Sequence, residues 1–272
     1  MAPWQRHDAA IAAIAADLAA LGVRPGEALL VHASLASMGW VEGGPETVVA
    51  GLLRALGPDG TLAMPALSYD YVGPRNPAFD VRFTPSCVGA IPEHFRLRDG
   101  TRRSIHPTHS VCAAGPAAQA LLGEHALDRT PCGPHSPFRR LRDLGGRILF
   151  LGCGLRSNTS MHGVEEVVEA PYLFGETVTY RLTLDDGSTR RIPYRQHGFA
   201  GWRQRYDRVA GLLVEGSAMR IGPVLRATAH LVDARALWER AEVAMRRDPY
   251  CFVERETASS RRLTSRPPRA RR

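Results

Sequence analysis

No lysine occurs anywhere in the 272 residues, so all 35 basic side chains are arginine. That absence excludes a P-loop nucleotide hydrolase, which needs its lysine on the phosphates. It equally excludes chemistry that runs through a lysine Schiff base, pyridoxal enzymes included. The five cysteines, at 87, 112, 132, 153 and 251, are odd in number and widely spaced, with no Cys-x-x-Cys pair. A disulfide framework and a structural zinc site are therefore not expected. No apolar run approaches the roughly 18 residues that a membrane-spanning helix needs. The start, Met1-Ala-Pro-Trp-Gln-Arg-His-Asp8, lacks the charged-then-apolar pattern of an export signal. A cytoplasmic protein with no membrane partner is expected.

What is present is an ordinary globular composition, 44% hydrophobic and 23% charged, in a chain long enough to bury a full core. The net charge of +8 suggests a nucleic-acid binder until its distribution is read. Residues 255–272 hold seven arginines and one glutamate, a net of +6, which leaves only +2 for the rest. This stretch lacks apolar periodicity and reads as a basic disordered tail behind a domain spanning 1–254. It has no interleaved aromatic side chains, so no nucleic-acid partner is expected.

Ile11, Ile14, Leu18 and Leu21 recur at helical spacing and stop at Gly22. Ala28–Leu35 reads as a buried strand, Pro45–Leu56 as a second helix and Gly60–Pro65 as a second strand. Thr84-Pro-Ser86 marks a helix start, with Val88, Ile91 and Phe95 on its buried side. His109–Ala114 and Arg147–Gly152 are short apolar strands. After Ala170 the pattern changes to an antiparallel hairpin, Thr177–Leu184 with Thr189–Arg195 around Asp185-Asp-Gly-Ser188. A strand pair near 218–221 and 224–230 and a helix from about Val232 to Met245 follow. The expected fold is α/β: a single layered domain whose mixed central sheet is flanked by helices, with antiparallel hairpin additions in its C-terminal third.

Chemistry-bearing residues gather where strands end. His32 and Ser34 follow the first strand, Arg103–Ser110 precedes another, and Asn158-Thr-Ser160 opens the helix of His162. Such loops surround one cleft in open α/β sheets. On that helix Glu165 stands at i+3 and Glu166 at i+4 from His162, so either carboxylate reaches the imidazole. Three chemistries fit. Metal-assisted hydrolysis would use His106, His109, His162 and Glu165, although no His-Glu-x-x-His or related signature is present. Covalent catalysis would use Cys153, in Gly-Cys-Gly after a strand, with His162 as base and Glu165 as its orienter. Direct acyl transfer would have His162 take a proton from an incoming amine while Glu165 steadies the imidazolium.

An ordered set of motifs resembles the aminoglycoside 3-N-acetyltransferase family, which is unrelated to the GNAT-fold acetyltransferases. It comprises Leu30-Val-His-Ala-Ser-Leu-Ala-Ser-Met-Gly39, Met64-Pro-Ala-Leu67, Thr84-Pro-Ser86 with Gly89 and Phe95-Arg96, and Arg103-Ser-Ile-His-Pro-Thr-His-Ser-Val111. Gly133-Pro-His-Ser-Pro-Phe138, Leu151-Gly-Cys-Gly154 and Asn158-Thr-Ser-Met-His-Gly-Val-Glu165 complete it. The resemblance runs from about residue 10 to residue 252. It implies direct transfer of acetyl from acetyl-CoA to an amine, with no acyl-enzyme and no metal, most readily to the 3-amino group of a 2-deoxystreptamine aminoglycoside. The family's base falls on His162 and its partner carboxylate on Glu165. The pantetheine arm and thioester would lie against His32, Ala33 and Ser34, Ser104 to His106, and Thr159. A polycationic acceptor calls for an acidic pocket, for which Asp70, Glu166 and Glu169 are the candidates. The His-Ala-Ser turn replaces the His-Ser-Ser of many relatives. N-acylation of another amine, or a cysteine or metal hydrolase, stands as the alternative; the chain is expected to act as a monomer or homodimer.

Overall fold

The computed structural model describes residues 3–214 and 217–256. A seven-stranded mixed sheet runs through the centre, built from β1 (Ala28–Ala33), β2 (Thr61–Pro65), β4 (Arg102–Arg103), β5 (Val111–Ala114), β6 (Arg147–Leu151), β10 (Met219–Val224) and β11 (Ala227–Asp233). Their spatial order is β10-β11-β6-β1-β2-β5-β4. Only β1 with β2 and β1 with β6 pair in parallel; the flanking pairs are antiparallel.

The period-two pattern decides what each face buries. Leu29 and Val31 of β1 and Leu149 and Leu151 of β6 point into one core with α1 (Pro3–Leu21), α2 (Pro45–Leu56) and α3 (Ala90–Leu97). Leu30, Ile148 and Phe150 point into the other, against α4 (Ala118–Leu122), α5 (Pro137–Asp143), α6 (Met161–Val167) and α7 (Ala234–Arg247). The hairpin β7 (Phe174–Thr183) with β8 (Thr189–His197) forms a separate three-stranded sheet with β3 (Ala78–Asp80). Phe79, Tyr180, Leu182 and Tyr194 give that sheet its own small core. A third sheet joins β9 (Trp202–Gln204) to β12 (Val253–Arg255). Among the described residues no helix is long and apolar enough to cross a membrane.

Several boundaries differ from the sequence reading, three of them for a clear local reason. Thr84 does not start a helix: its hydroxyl accepts from the Asp80 amide in a turn, and α3 begins after Gly89, whose φ of 121° suits only glycine. Helix α7 begins at Ala234, because Val232 and Asp233 still pair with β6 and the Asp233 carboxylate then caps the Ala236 amide at 2.8 Å. Finally, β12 continues to Arg255, whose guanidinium lies 4.2 Å over the Trp202 ring, inside the segment read as tail. Residues 257–272 of that segment lie outside the described residues.

Candidate active site

Strands β6, β1 and β2 run side by side in parallel, and the chain leaves their C-terminal ends in loops, where ligands bind in open α/β sheets. A cleft there has a volume of about 370 Å³, within the range of small-molecule sites. His32 and Ala33 line it from β1, Pro65 from β2, Leu67 from the loop after β2, Cys153 and Thr159 from the loop after β6, and His162 from α6. Gly152 turns the chain at φ 73°, and a Cβ there would stand 2.6 Å from Ser37. The glycine before Cys153 is thus demanded twice over.

His162 is backed by a buried acid. Its Nδ1 lies 2.9 Å from Glu165 Oε2 and 2.7 Å from the Tyr206 hydroxyl. Tyr206 donates to the same Oε2 at 2.7 Å, and Tyr172 donates to Oε1 at 2.9 Å. Glu165 is wholly enclosed, so its charge is stabilised by three donors rather than by water. Burial, and then the Glu165 charge, push both phenols upward, which keeps them protonated as donors. With the Tyr206 proton given to the carboxylate, His162 donates through Nδ1 and keeps the lone pair on Nε2.

Glu166 does not face His162, and it is not available to a substrate. Its Oε1 accepts from the Cys132 amide at 2.7 Å and from His197 Nε2 at 2.8 Å, and its Oε2 accepts from Thr130 at 2.6 Å. Glu169 lies beyond the end of α6 with φ 53°, exposed and away from the cleft lining. The single acidic helix face expected from the sequence is therefore not formed. Asp70 is exposed next to Tyr69, which does line the cleft.

The residues expected to hold the cofactor divide in the same way. His32, Ala33 and Thr159 line the cleft, whereas Ser34, Ser104 and His106 do not. Ser34 bonds to Ser37 at 3.0 Å. Ser104 donates to His125 Nδ1 at 2.9 Å and accepts from the Val111 amide at 2.9 Å, which uses up its hydroxyl. His106 Nδ1 accepts from the amides of Thr108 and His109, so this buried ring builds the turn that presents His109. His32 pairs in register with Phe150 and stacks on it at 5.1 Å, 4° from parallel. Burial lowers its pKa to about 3, and its Nε2 is a buried nitrogen with no hydrogen-bond partner.

The rival chemistries lose their geometry. The Cys153 thiol is pushed up by burial, so it is not a resting thiolate, while Nδ1 of His162 is committed to Glu165. Of the metal set proposed from sequence, His106 and Glu165 are otherwise engaged, His106 Nδ1 by two backbone amides and Glu165 by His162 and two tyrosines, while His109 and His162 stay close together.

Several residues here escaped the sequence reading. Tyr206 approaches from 44 positions away, Tyr172 follows α6, and Gln204 lines the cleft from β9. His197, from the end of β8, lies 5.1 Å from the His162 ring. Nothing in the local pattern around them marks this convergence; only the Trp202-Arg-Gln-Arg-Tyr206 cluster of polar and aromatic residues hints at a site.

The aminoglycoside 3-N-acetyltransferase family model matches residues 30–246. Aminoglycoside N(3)-acetyltransferase IV from Salmonella sp is 34% identical over 248 residues, covering 91% of this chain and 92% of that one. Among solved structures, a histidine-to-alanine mutant of AAC(3)-IVa in complex with a gentamicin superposes with a TM-score of 0.75 at 32% identity, covering 92% of this chain and 95% of that one. AAC-IIIb, solved as a binary complex with CoASH, superposes with a TM-score of 0.74 at 27% identity, covering 86% and 95%. A mixed sheet with a histidine-bearing cleft at its parallel strand ends is thus the frame of an acyltransferase. The chain belongs to the aminoglycoside 3-N-acetyltransferase family.

Proposed function

We propose that His162, backed by Glu165, is the general base of an acetyl-CoA-dependent N-acetyltransferase acting on the 3-amino group of 2-deoxystreptamine aminoglycosides. The observation that carries this reading is the buried Glu165, held by Tyr172 and Tyr206 against Nδ1 of a His162 that opens on the cleft. Nε2 of His162 accepts a proton from the amine as its nitrogen attacks the acetyl carbonyl. The C–N bond forms, the C–S bond breaks, and the proton passes to the departing thiolate, giving amide and CoASH. Glu165 offsets the positive charge on the imidazole while it holds that proton.

His32, Ala33 and Thr159 are assigned to the thioester and pantetheine arm. The orphaned Nε2 of His32 supports this, because a buried polar nitrogen gains a partner when a pantetheine amide or acetyl oxygen enters the cleft. Asp70, at the rim beside Tyr69, is assigned to the cationic acceptor. The reading has the chain working in the cytoplasm, without nucleic acid, as a monomer or homodimer, with the unit up to residue 256 sufficient for catalysis.

One observation favours a second reading, N-acetylation of a less charged amine: no carboxylate is among the described residues that line the cleft. Thiol release from acetyl-CoA across an aminoglycoside panel, with the product mapped by NMR, separates the two. Turnover on deoxystreptamine compounds with acetyl on the 3-amino group is expected. Tight acetyl-CoA binding without turnover on any of them would transfer the assignment to other amines.

A further inference from the structure

We propose that His109, His162 and His197 form a three-histidine site for a Zn²⁺-class divalent metal, whose binding switches acetyl transfer off. The three rings come from three elements: the loop before β5, helix α6, and the last residue of β8. Their donor nitrogens lie within 4.8 Å of one another. A tetrahedral metal with Zn–N bonds of about 2.0–2.1 Å needs them about 3.4 Å apart, so each ring has to move inward by no more than about 0.8 Å.

The outer nitrogen of every ring is already oriented. Glu165 holds His162 Nδ1 at 2.9 Å, Glu166 holds His197 Nε2 at 2.8 Å, and Thr108 meets His109 Nδ1 at 2.9 Å. Carboxylates behind two of three histidines are the arrangement that fixes metal-binding imidazoles and raises their donor strength. One nitrogen per ring is left over. That of His197, Nδ1, is buried without a hydrogen-bond partner on a side chain only 2% exposed. Two enclosed carboxylates also match the two positive charges of the ion, so its entry leaves no net buried charge. Three neutral imidazoles favour Zn²⁺, Ni²⁺ or Cu²⁺ over Mg²⁺ or Ca²⁺.

Inhibition follows because the metal takes the Nε2 lone pair on which the amine's proton would land. This half of the inference rests on His162 being the base; the binding half does not. The test titrates Co²⁺ into the chelator-stripped full chain and reads its visible spectrum. One equivalent giving the intense bands of a four-coordinate ion, without a thiolate charge-transfer band, is expected, with Zn²⁺ displacing it. His197→Ala should weaken binding by well over tenfold, Glu166→Gln by about 10–100-fold, and Cys153→Ser should leave it unchanged; circular dichroism checks that each variant is folded. A weak octahedral spectrum, binding indifferent to both His197→Ala and Glu166→Gln, or binding lost in Cys153→Ser would overturn the site. Zn²⁺ is also expected to stop CoA release with the midpoint of its binding. A site that fills without loss of turnover would refute the switch and, separately, the assignment of His162 as base.

Discussion

Glu165 and Glu166 are sequence neighbours, both buried, and they hold different histidines. Glu165 meets His162 across i+3 and is fixed by two tyrosines, while Glu166 closes on His197 and the Thr130–Cys132 loop. Glu165→Gln should therefore lower kcat by about 10²-fold with little change in KM, as expected when a group stabilises a charge that exists only during transfer. Glu166→Gln should act first on stability, costing about 1–3 kcal/mol through a disturbed buried network. Steady-state kinetics beside urea unfolding distinguishes the two; an equal loss of kcat in both would contradict the division of roles. Cys153→Ala should keep turnover within about threefold, since no step needs its thiol. The pair spacing made His162 with one glutamate legible in the sequence. Which glutamate it was remained open, because both spacings fit a helix and the choice is made by side chains 7 and 41 residues further on.

At the scale of elements, helix α6 holds His162 in place because α7 packs closely against it. A Cβ at Gly163 would stand 2.1 Å from the Trp238 ring, and Trp238 Nε1 donates to Ser160 at 2.6 Å. Gly163→Ala must push α6 away from α7 and so move His162 relative to the strand ends. A fall in kcat of at least about tenfold is expected, for misplacement by about 1 Å costs up to about 10² in rate; a Gly163→Ala enzyme with wild-type kcat would show that α6 tolerates the shift. The strands themselves were legible, since the apolar runs within Ala28–Leu35 and Arg147–Gly152 mark strands buried on both faces. Their spatial order was not. That β11 lies between β6 and the edge, and that β7 and β8 leave the main sheet for β3, depends on pairings between distant segments. That Ser104, His106 and Glu166 are engaged by the turns and loops around the site likewise depends on contacts no local pattern states.

Across the whole molecule, the cluster of buried neutral histidines sets the acid limit. His125, enclosed between Ser104 and Pro131, has its pKa lowered by burial from 6.5 to about 4, and His32, His106, His109 and His197 are shifted in the same direction. Unfolding lets each take up a proton near its ordinary value. Their contribution to stability is therefore complete above about pH 6.5 and is lost as pH falls towards the folded value, about 4 for His125. Unfolding free energy should drop steeply across that window, and His125→Gln should flatten the slope by up to about 1.4 kcal/mol per pH unit. An unchanged slope in folded His125→Gln would mean that His125 titrates alike in both states. The central claim, that one imidazole moves the proton in transfer, is tested most directly by kcat of His162→Ala with acetyl-CoA and an aminoglycoside, measured beside acetyl-CoA affinity. A loss of at least about 10³-fold in kcat with affinity retained is expected. Turnover within about tenfold of wild type would contradict it, because His162 would then not be the base.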